Sequence, residues 1–273
     1  MTTYGLTGYT GHVGQELLKF PNVVPLVGDV TNKAEIDLAV RNTKPDVIVH
    51  LASKSNVDFC EDKKNEKLVL ETNVHGTFHL ADVGEKYRCQ VVLLSTVQVF
   101  DGLWGNYKES NKPRPKNFYG WSKMGAERLQ TVFPNLKVVR TSYLFDYERM
   151  FRHIYPLREG ESFEYPTFIE RSFMYLPHFA EAFYNYLQRI EQMPSILHIS
   201  GSRTSSWYKF MCDVATVYGL NSSLIQPRYK EVNLNVAPRP YKAGLNVNLS
   251  KKLEIPQYGY LEGLQEMREI STQ

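Results

Sequence analysis

The sequence of 273 residues contains few cysteines. Its three cysteines, Cys60, Cys89 and Cys212, lie far apart in the chain. An odd number of widely spaced cysteines predicts neither a disulfide framework nor a structural zinc site. A chain of this length buries enough surface on folding to be stable without such cross-links. We therefore expect a protein without disulfides and without a metal ion.

Long apolar segments and an excess of one charge are also missing. No run reaches the roughly 18 apolar residues of a membrane-spanning helix. The first residues lack the basic and then apolar pattern of a signal peptide. The 32 basic and 29 acidic residues give a net charge of +3, which argues against nucleic acid or an anionic membrane as a partner. These absences favour a cytoplasmic protein.

Short apolar segments alternate with helical patterns through much of the chain. The predicted strands are 3–7, 23–27, 47–51, 90–95, 137–140 and 196–200. The predicted helices are 13–19, 33–43, 66–87, 119–131 and 177–191. Strands separated by helices imply parallel crossovers, so the pattern predicts an α/β fold with a doubly wound (Rossmann) sheet.

The periodicity weakens in the second half of the chain. Residues 145–176 and 201–260 are rich in aromatic residues, proline and glycine. We predict a dinucleotide-binding core over residues 1–144, to which residues 177–200 return. The remainder, 145–176 and 201–273, is predicted to form a small C-terminal substrate-binding lobe at the carboxyl ends of the strands, where ligands of open α/β sheets bind.

A G-x-x-G-x-x-G motif lies between the first predicted strand and the first predicted helix. Its residues are Gly8, Tyr9, Thr10, Gly11, His12, Val13 and Gly14. Glycine permits a tight turn there and lets backbone N–H groups approach a pyrophosphate at the positive end of the helix. A plain tight turn would have a similar composition, but the strand before and the helix after favour dinucleotide binding.

Tyr119 and Lys123 form a Y-x-x-x-K pair at the start of a predicted helix. Residues four apart share one face of a helix. An ammonium near a phenol lowers the pKa of the phenol from about 10, which makes proton transfer near neutral pH feasible. The preceding strand ends in Ser95 and Thr96. A hydroxyl there is placed either to bind a substrate carbonyl or simply to cap the end of the strand.

These three motifs, in this order and spacing, resemble the extended short-chain dehydrogenase/reductase superfamily. Within it the sequence is most similar to the dTDP-4-dehydrorhamnose reductases, and it also resembles the reductase part of UDP-rhamnose synthases. The similarity covers nearly the whole chain, in segments 44–48, 57–61, 73–77, 95–102, 119–123, 140–143 and 237–240. It implies a catalytic triad of Thr96, Tyr119 and Lys123. Thr96 is preferred to Ser95 because it stands three residues before Val99.

The resemblance also implies NADP or NAD as the cofactor, with the reduced form as hydride donor. The implied cofactor contacts are Gly8, Tyr9, Thr10, Gly11, His12, Val13, Gly14, Asp29, Val30, Leu51, Ala52, Ser53, Asn73, Tyr119 and Lys123. The implied contacts with a sugar-nucleotide substrate are Val97, Gln98, Tyr143 and Arg239. For Arg239 the substrate diphosphate is the expected partner, and an ordinary surface arginine is the alternative.

The implied activity is reduction of the 4-keto group of a nucleotide-linked 4-keto-6-deoxyhexose, as in dTDP-rhamnose biosynthesis. Val97 and Gln98 replace the family's usual Asp-Tyr pair, and Tyr143 replaces a usual tryptophan. The resemblance therefore does not specify which hexose is the substrate. A 4-epimerase or 4,6-dehydratase would use the same triad. A non-catalytic alternative is a dinucleotide-binding regulatory subunit, as in methionine adenosyltransferase. For the assembly of the protein, the sequence is compatible with a homodimer.

The segment before Asp29 predicts how the cofactor is selected. It is several residues shorter than in the family, and it offers no acidic residue for a ribose 2′-hydroxyl and no arginine for a 2′-phosphate. We therefore expect the Kd values for NADH and NADPH to differ by less than about 100-fold, or about 2.7 kcal/mol. Titrating the protein with each cofactor measures this ratio, and a larger preference contradicts the prediction.

Overall fold

The computed structural model describes residues 1–230 and 237–271. In the first half of the chain the strands and helices are β1 (Tyr4–Thr7), α1 (His12–Leu17), β2 (Val23–Pro25), α2 (Lys33–Thr43), β3 (Val47–His50), α3 (Val57–Glu61), α4 (Glu66–Leu70), α5 (Gly76–Tyr87), β4 (Gln90–Thr96), α6 (Phe118–Arg128) and β5 (Leu136–Thr141). They are followed by β6 (Tyr143–Phe145), α7 (Tyr147–Arg158), β7 (Phe163–Pro166), β8 (Glu170–Tyr175), α8 (Leu176–Gln188), β9 (Ile196–His198), β10 (Thr204–Ser206), α9 (Trp207–Tyr218), β11 (Ile225–Arg228), β12 (Lys242–Ala243), α10 (Asn248–Lys252) and α11 (Tyr260–Ser271). None of these helices has both the length and the apolar character needed to cross a membrane.

Six parallel strands form the central sheet of the described part of the chain, in the order β2-β1-β3-β4-β5-β9. The chain runs from β1 outward to β2 and then returns past β1 to β3. The direction of winding therefore reverses between β1 and β3. In open α/β sheets ligands bind at such a switch point, outside the carboxyl ends of the strands. This sheet confirms the predicted doubly wound α/β fold.

Helices cover both faces of the central sheet. On one face Leu6 of β1 belongs to the same apolar cluster as Phe179 of α8. On the other face Ile36 of α2 and Leu80 of α5 belong to a second cluster. Because both faces are covered, every residue of β3 (Val47–His50) is buried. Burial on both faces explains why this strand is a continuous apolar run and not an alternating one.

The segments without clear periodicity contribute to a separate apolar core, in addition to the two clusters that cover the central sheet. We call it the second core. There β8 pairs with β10, β12 and β6 in a small mixed sheet. Phe173 of β8 stacks on Phe210 of α9, with ring centroids 4.0 Å apart. The aromatic side chains of this core come from short strands, helices and connections, so their spacing follows neither the helical nor the strand period. For that reason α7, α9 and α11 were not individually predicted.

Two predicted elements differ from the structure close to the switch point. The helix predicted over 66–87 contains a π-helical turn at Glu71–His75, between α4 and α5. Such turns often occur at functional sites, and here the turn contains Asn73, which is only 1% exposed. The strand predicted over 23–27 ends at Pro25, and Val27 is exposed. The edge of the sheet beside β1 is therefore shorter than predicted.

Candidate active site

A cleft of about 850 Å³ opens at the switch point between β1 and β3. Its walls come from the loops after β1 and β3, from α6 and from residues 141–149. Most of the residues that the sequence assigned to a site line this one cleft, namely Gly8, Tyr9, Thr10, Gly11, His12, Val13, Gly14, Asp29, Val30, Leu51, Ala52, Ser53, Thr96, Gln98, Tyr119, Lys123 and Tyr143. Three assigned residues lie elsewhere, namely Asn73, Val97 and Arg239.

Each glycine of the loop after β1 has a different structural role. Gly8 has a φ of +67°, and a Cβ there would lie 2.5 Å from the backbone N of Ala52. A Cβ at Gly14 would lie 2.6 Å from the carbonyl O of Gly8. Gly11 has extended backbone, and its Cβ would meet only the Gly8 oxygen, at 3.5 Å. Two glycines thus allow close packing, while the third leaves open space on the cleft side of the loop.

The loop after β3 is tied to the neighbouring elements by polar side chains. Asn73 accepts hydrogen bonds from Ser53 Oγ (3.0 Å) and Lys54 N (2.8 Å). Its amide group donates to Lys54 O (3.0 Å) and to Ser122 Oγ of α6 (2.9 Å). Asn73 was predicted to contact the cofactor directly. Asn73 is not among the residues that line the cleft, and its amide bonds to the loop after β3 and to α6.

Asp29 and Val30 lie at the end of the cleft near β2. The Asp29 carboxylate accepts hydrogen bonds from the backbone N and the hydroxyl of Thr31, each 2.9 Å long. These bonds hold the pKa of Asp29 below its usual value, and the bond from the backbone N of Thr31 has the larger effect. The carboxylate is thus ionised and partly occupied by Thr31.

Thr96 and Tyr119 meet on the floor of the cleft. Thr96 ends β4, and its Oγ1 accepts a hydrogen bond of 3.2 Å from Gln98 N. Burial raises the pKa of Tyr119 above its ordinary value, while contacts with the hydroxyls of Thr96 and Ser53 lower it by less. Lys123 was expected to lower this pKa. The structure shows the opposite net direction, because desolvation of the phenolate dominates.

Lys123 lies one turn after Tyr119 on α6 and is 2% exposed. Burial lowers the pKa of Lys123 to about 8, and the nearby Glu127 carboxylate opposes that shift. Near it, His50 at the end of β3 donates to or accepts from Thr7 Oγ1 through Nδ1, at 2.9 Å. Burial, and then the Lys123 charge, lower the pKa of His50 to about 3. The imidazole is therefore neutral at physiological pH.

Ser95 and Thr96, which are adjacent in sequence, have different partners. Ser95 Oγ donates to Glu127 Oε1 at 2.6 Å, inside the core. Glu127 also receives two hydrogen bonds from Arg140, Nε to Oε1 at 2.9 Å and Nη2 to Oε2 at 2.6 Å. Of these two adjacent hydroxyls, that of Thr96 contacts Tyr119 and that of Ser95 is engaged in the core. Arg140, which belongs to a segment expected near the substrate, instead forms a buried ion pair.

The predicted substrate residues separate into two groups. Gln98 and Tyr143 line the cleft, and Gln98 Oε1 accepts a hydrogen bond from Asn117 Nδ2 at 3.0 Å. Val97, by contrast, is 2% exposed and packs with Val99 and other apolar residues. Val97 thus faces the apolar interior while Gln98 faces the cleft, because consecutive residues of the short turn after β4 face opposite sides.

Arg239 also lies outside the cleft lining. Its guanidinium pairs with both oxygens of Asp58 on α3, Nη1 to Oδ1 at 2.6 Å and Nη2 to Oδ2 at 2.7 Å. Asp58 Oδ1 also accepts a hydrogen bond of 2.9 Å from Ala237 N. The structure therefore gives Arg239 a carboxylate partner within the protein, where the sequence predicted a substrate diphosphate.

Several cleft residues were not predicted from the sequence. They include Lys54, Glu71, Ser142 and Arg149. Ser142 lies in the resembling segment 140–143 but was given no role, and Arg149 reaches the cleft from α7, far along the chain from the glycine loop. Within residues 1–230 and 237–271 no group of three or more histidine, cysteine or carboxylate side chains could hold a metal ion.

Comparisons with known proteins agree with this geometry. The chain matches the family model described as "RmlD substrate binding domain" over residues 3–272. The spore coat polysaccharide biosynthesis protein SpsK of Bacillus subtilis is 27% identical over 97% of this chain and 96% of its own length. The β subunit of methionine adenosyltransferase 2 from Xenopus tropicalis is 26% identical over 84% of this chain and 71% of its own length.

A solved structure has the same fold. The crystal structure of dTDP-4-dehydrorhamnose reductase from Bacillus anthracis, in complex with NADP, superimposes with a TM-score of 0.85. The superposition covers 98% of each chain at 23% sequence identity. The fold of the described residues, including the second core, is therefore similar to the fold of that enzyme.

The glycine loop yields a prediction that separates packing from binding. Gly14→Val should lower the free energy of unfolding by about 1–3 kcal/mol, because its side chain overlaps the Gly8 backbone. Gly11→Val should stay within about 1 kcal/mol of the wild type but lose NADPH binding, because its side chain enters the open side of the loop. Urea unfolding and NADPH titration measure the two effects. A folded Gly11→Val protein that binds NADPH as well as the wild type would refute the assignment.

Proposed function

The chain belongs to the RmlD substrate binding domain family, and from that premise we propose that it is a reductase of nucleotide-linked 4-keto-6-deoxyhexoses that uses NADPH or NADH. One observation supports this most directly: the glycine loop and the residues Thr96, Tyr119 and Lys123 line the same cleft. A dinucleotide held by the loop and a carbonyl near Tyr119 would thus share one site, as hydride transfer to a ketone requires.

The residues of the cleft fit a dinucleotide. The open space beside Gly11 would admit a diphosphate, and the backbone N–H groups of a glycine loop before a helix favour negative charge there. Asp29 and Val30 would flank the adenosine, and residues 51–53 the middle of the cofactor. Lys123 would hold the nicotinamide ribose. When bound, the reduced cofactor supplies a hydride to C4 of the sugar.

Tyr119 is suited to act as the proton donor. Its raised pKa keeps the phenol protonated at neutral pH, so a proton is available for the alkoxide oxygen that forms at C4. The Thr96 hydroxyl, which contacts the phenol, would orient the carbonyl oxygen. Positioned proton donation of this kind contributes about 10²–10⁴ in rate, or roughly 3–5 kcal/mol. Holding the carbonyl in contact with its donors supplies much of the remaining rate enhancement.

The wall after Thr96 favours a reductase over a dehydratase. A dehydratase needs an acid at this place, but Val97 is buried among apolar residues and Gln98 is a neutral amide bonded to Asn117. Gln98 and Tyr143 are the side chains that would contact the sugar. Because they differ from the acidic wall implied by the resemblance, we propose that the substrate is a 6-deoxyhexose linked to dTDP or to UDP.

A regulatory subunit is the second candidate, since the methionine adenosyltransferase 2 subunit from Xenopus tropicalis matches 84% of this chain. The two candidates differ in their need for chemistry at Tyr119. A binding subunit has no use for a buried phenol next to a hydroxyl and a lysine, and the present cleft contains all three. Turnover therefore separates the two candidates.

Tyr119→Phe should fold and bind NADPH but lose reduction by at least about 10²-fold in kcat, because only the proton-donating hydroxyl is removed. Lys123→Met should lose turnover and part of its affinity for NADPH. Tyr87→Phe is a matched control, because the Tyr87 hydroxyl bonds to Asp37 on another part of the surface. Oxidation of NADPH followed at 340 nm measures kcat. Near-normal kcat in the Tyr119→Phe protein would refute the triad.

A panel of dTDP-, UDP- and GDP-linked 4-keto-6-deoxyhexoses tests the substrate class. We expect NADPH oxidation with at least one dTDP- or UDP-linked sugar, because the family and the cleft both indicate a sugar-nucleotide reductase. Bound cofactor without turnover of any sugar would favour the regulatory subunit. Turnover of only free aldehydes or ketones would refute the sugar-nucleotide class.

A further inference from the structure

Arg149 brings a guanidinium group from the second core to the cleft. Its helix, α7, buries Met150 and Ile154 in that core. Arg149 instead faces the cleft, where its side chain is 34% exposed and lines the same space as the glycine loop. A cation from the aromatic part of the chain therefore reaches the site expected to hold a dinucleotide.

Asp146 connects Arg149 to the glycine loop. Its Oδ1 accepts a hydrogen bond of 2.7 Å from Arg149 N and caps α7. Its Oδ2 lies 2.9 Å from Nδ1 of His12, the residue after Gly11, and 3.6 Å from Nε of Arg149. One partly buried carboxylate thus lies beside both a residue of the loop and the arginine of α7, while its hydrogen bond is to the backbone N of Arg149.

The Arg149 guanidinium keeps donors available for a ligand. Nη1 donates to the carbonyl O of Leu144 at 3.0 Å. Within residues 1–230 and 237–271, Nη2 has no hydrogen-bond acceptor among the protein atoms. A guanidinium is planar, stays charged and can donate two parallel hydrogen bonds, which suits a diphosphate. Arg239, the arginine predicted for that task, is already paired with Asp58.

We propose that Arg149 binds the diphosphate of the dinucleotide that lies over the glycine loop, so that α7 and the loop hold the cofactor from two sides. This inference rests on the proposed function, because it takes NADP or NAD as the ligand. It adds a cofactor contact from a segment expected to bind only the sugar nucleotide. A sugar nucleotide also contains a diphosphate. The cofactor is favoured because Arg149 and His12 of the loop lie beside the same carboxylate, that of Asp146.

The test measures NADPH binding to Arg149→Met by fluorescence titration at several salt concentrations. We expect the Kd to rise about tenfold, which corresponds to about 1.4 kcal/mol. We also expect binding to depend less on salt, since one charge contact is lost. Arg158→Met is the matched control, because Arg158 lies on the same helix but over the ring of Tyr218, at 6.0 Å. Its Kd should equal that of the wild type.

A second variant and a second ligand complete the test. Arg149→Gln keeps a polar amide donor but removes the charge and the guanidinium fork, so it should also weaken NADPH binding. To test whether Arg149 binds the diphosphate of the sugar nucleotide instead, dTDP and UDP are titrated into the NADPH-saturated wild type and into both Arg149 variants. Unchanged NADPH affinity in both Arg149 variants, or a loss confined to dTDP and UDP, overturns the proposal. This test measures binding and not turnover. A failure of the proposed reductase activity can therefore be told apart from a failure of the proposal for Arg149.

Discussion

The buried ion pair between Glu127 and Arg140 fixes the helix of the active site to the sheet. Glu127 lies near the end of α6, Arg140 near the end of β5, and Ser95 of β4 adds a third hydrogen bond. Removing one partner of such a pair leaves an uncompensated charge in the core and costs about 3–5 kcal/mol. This cost favours the packing of α6 on the sheet in which Glu127 and Arg140 are paired. Because Tyr119 and Lys123 lie eight and four residues before Glu127 on α6, this arrangement sets their position beside β4.

The other end of α6 is held by polar side chains from distant segments. Asn117 caps the helix by accepting a hydrogen bond from Gly120 N, and its amide group donates to Gln98 and to the carbonyl of Pro238. Glu61 of α3 accepts a hydrogen bond from Phe118 N. With both ends fixed, the Tyr119 phenol can be held in a desolvated place. The same burial that orients the phenol also raises its pKa, so the phenol is protonated at neutral pH.

The two apolar cores meet at the cleft, and this arrangement explains how one site could serve two ligands. The loops at the switch point of the sheet come from local strand–loop–helix units, which are typical of dinucleotide sites. The opposite wall consists of Tyr143, Ser142 and Arg149, which enter from the start of the second core. This part of the cleft wall is thus separated in the chain from Tyr119 and Lys123 of α6.

The sequence by itself determined the parts of the protein that depend on neighbours along the chain. The glycine loop, the helix with Tyr119 and Lys123, and the alternation of β1 to β5 follow from local turns, the helical period and continuous apolar runs. Only the tertiary structure decided that Arg239 pairs with Asp58, that Val97 faces the core, that the Asn73 amide bonds to α6 and that Arg149 lines the same cleft as the glycine loop. It also decided the direction of the Tyr119 pKa shift. These properties depend on which residues from distant segments surround a side chain and exclude water from it, and spacing along the chain does not contain that information.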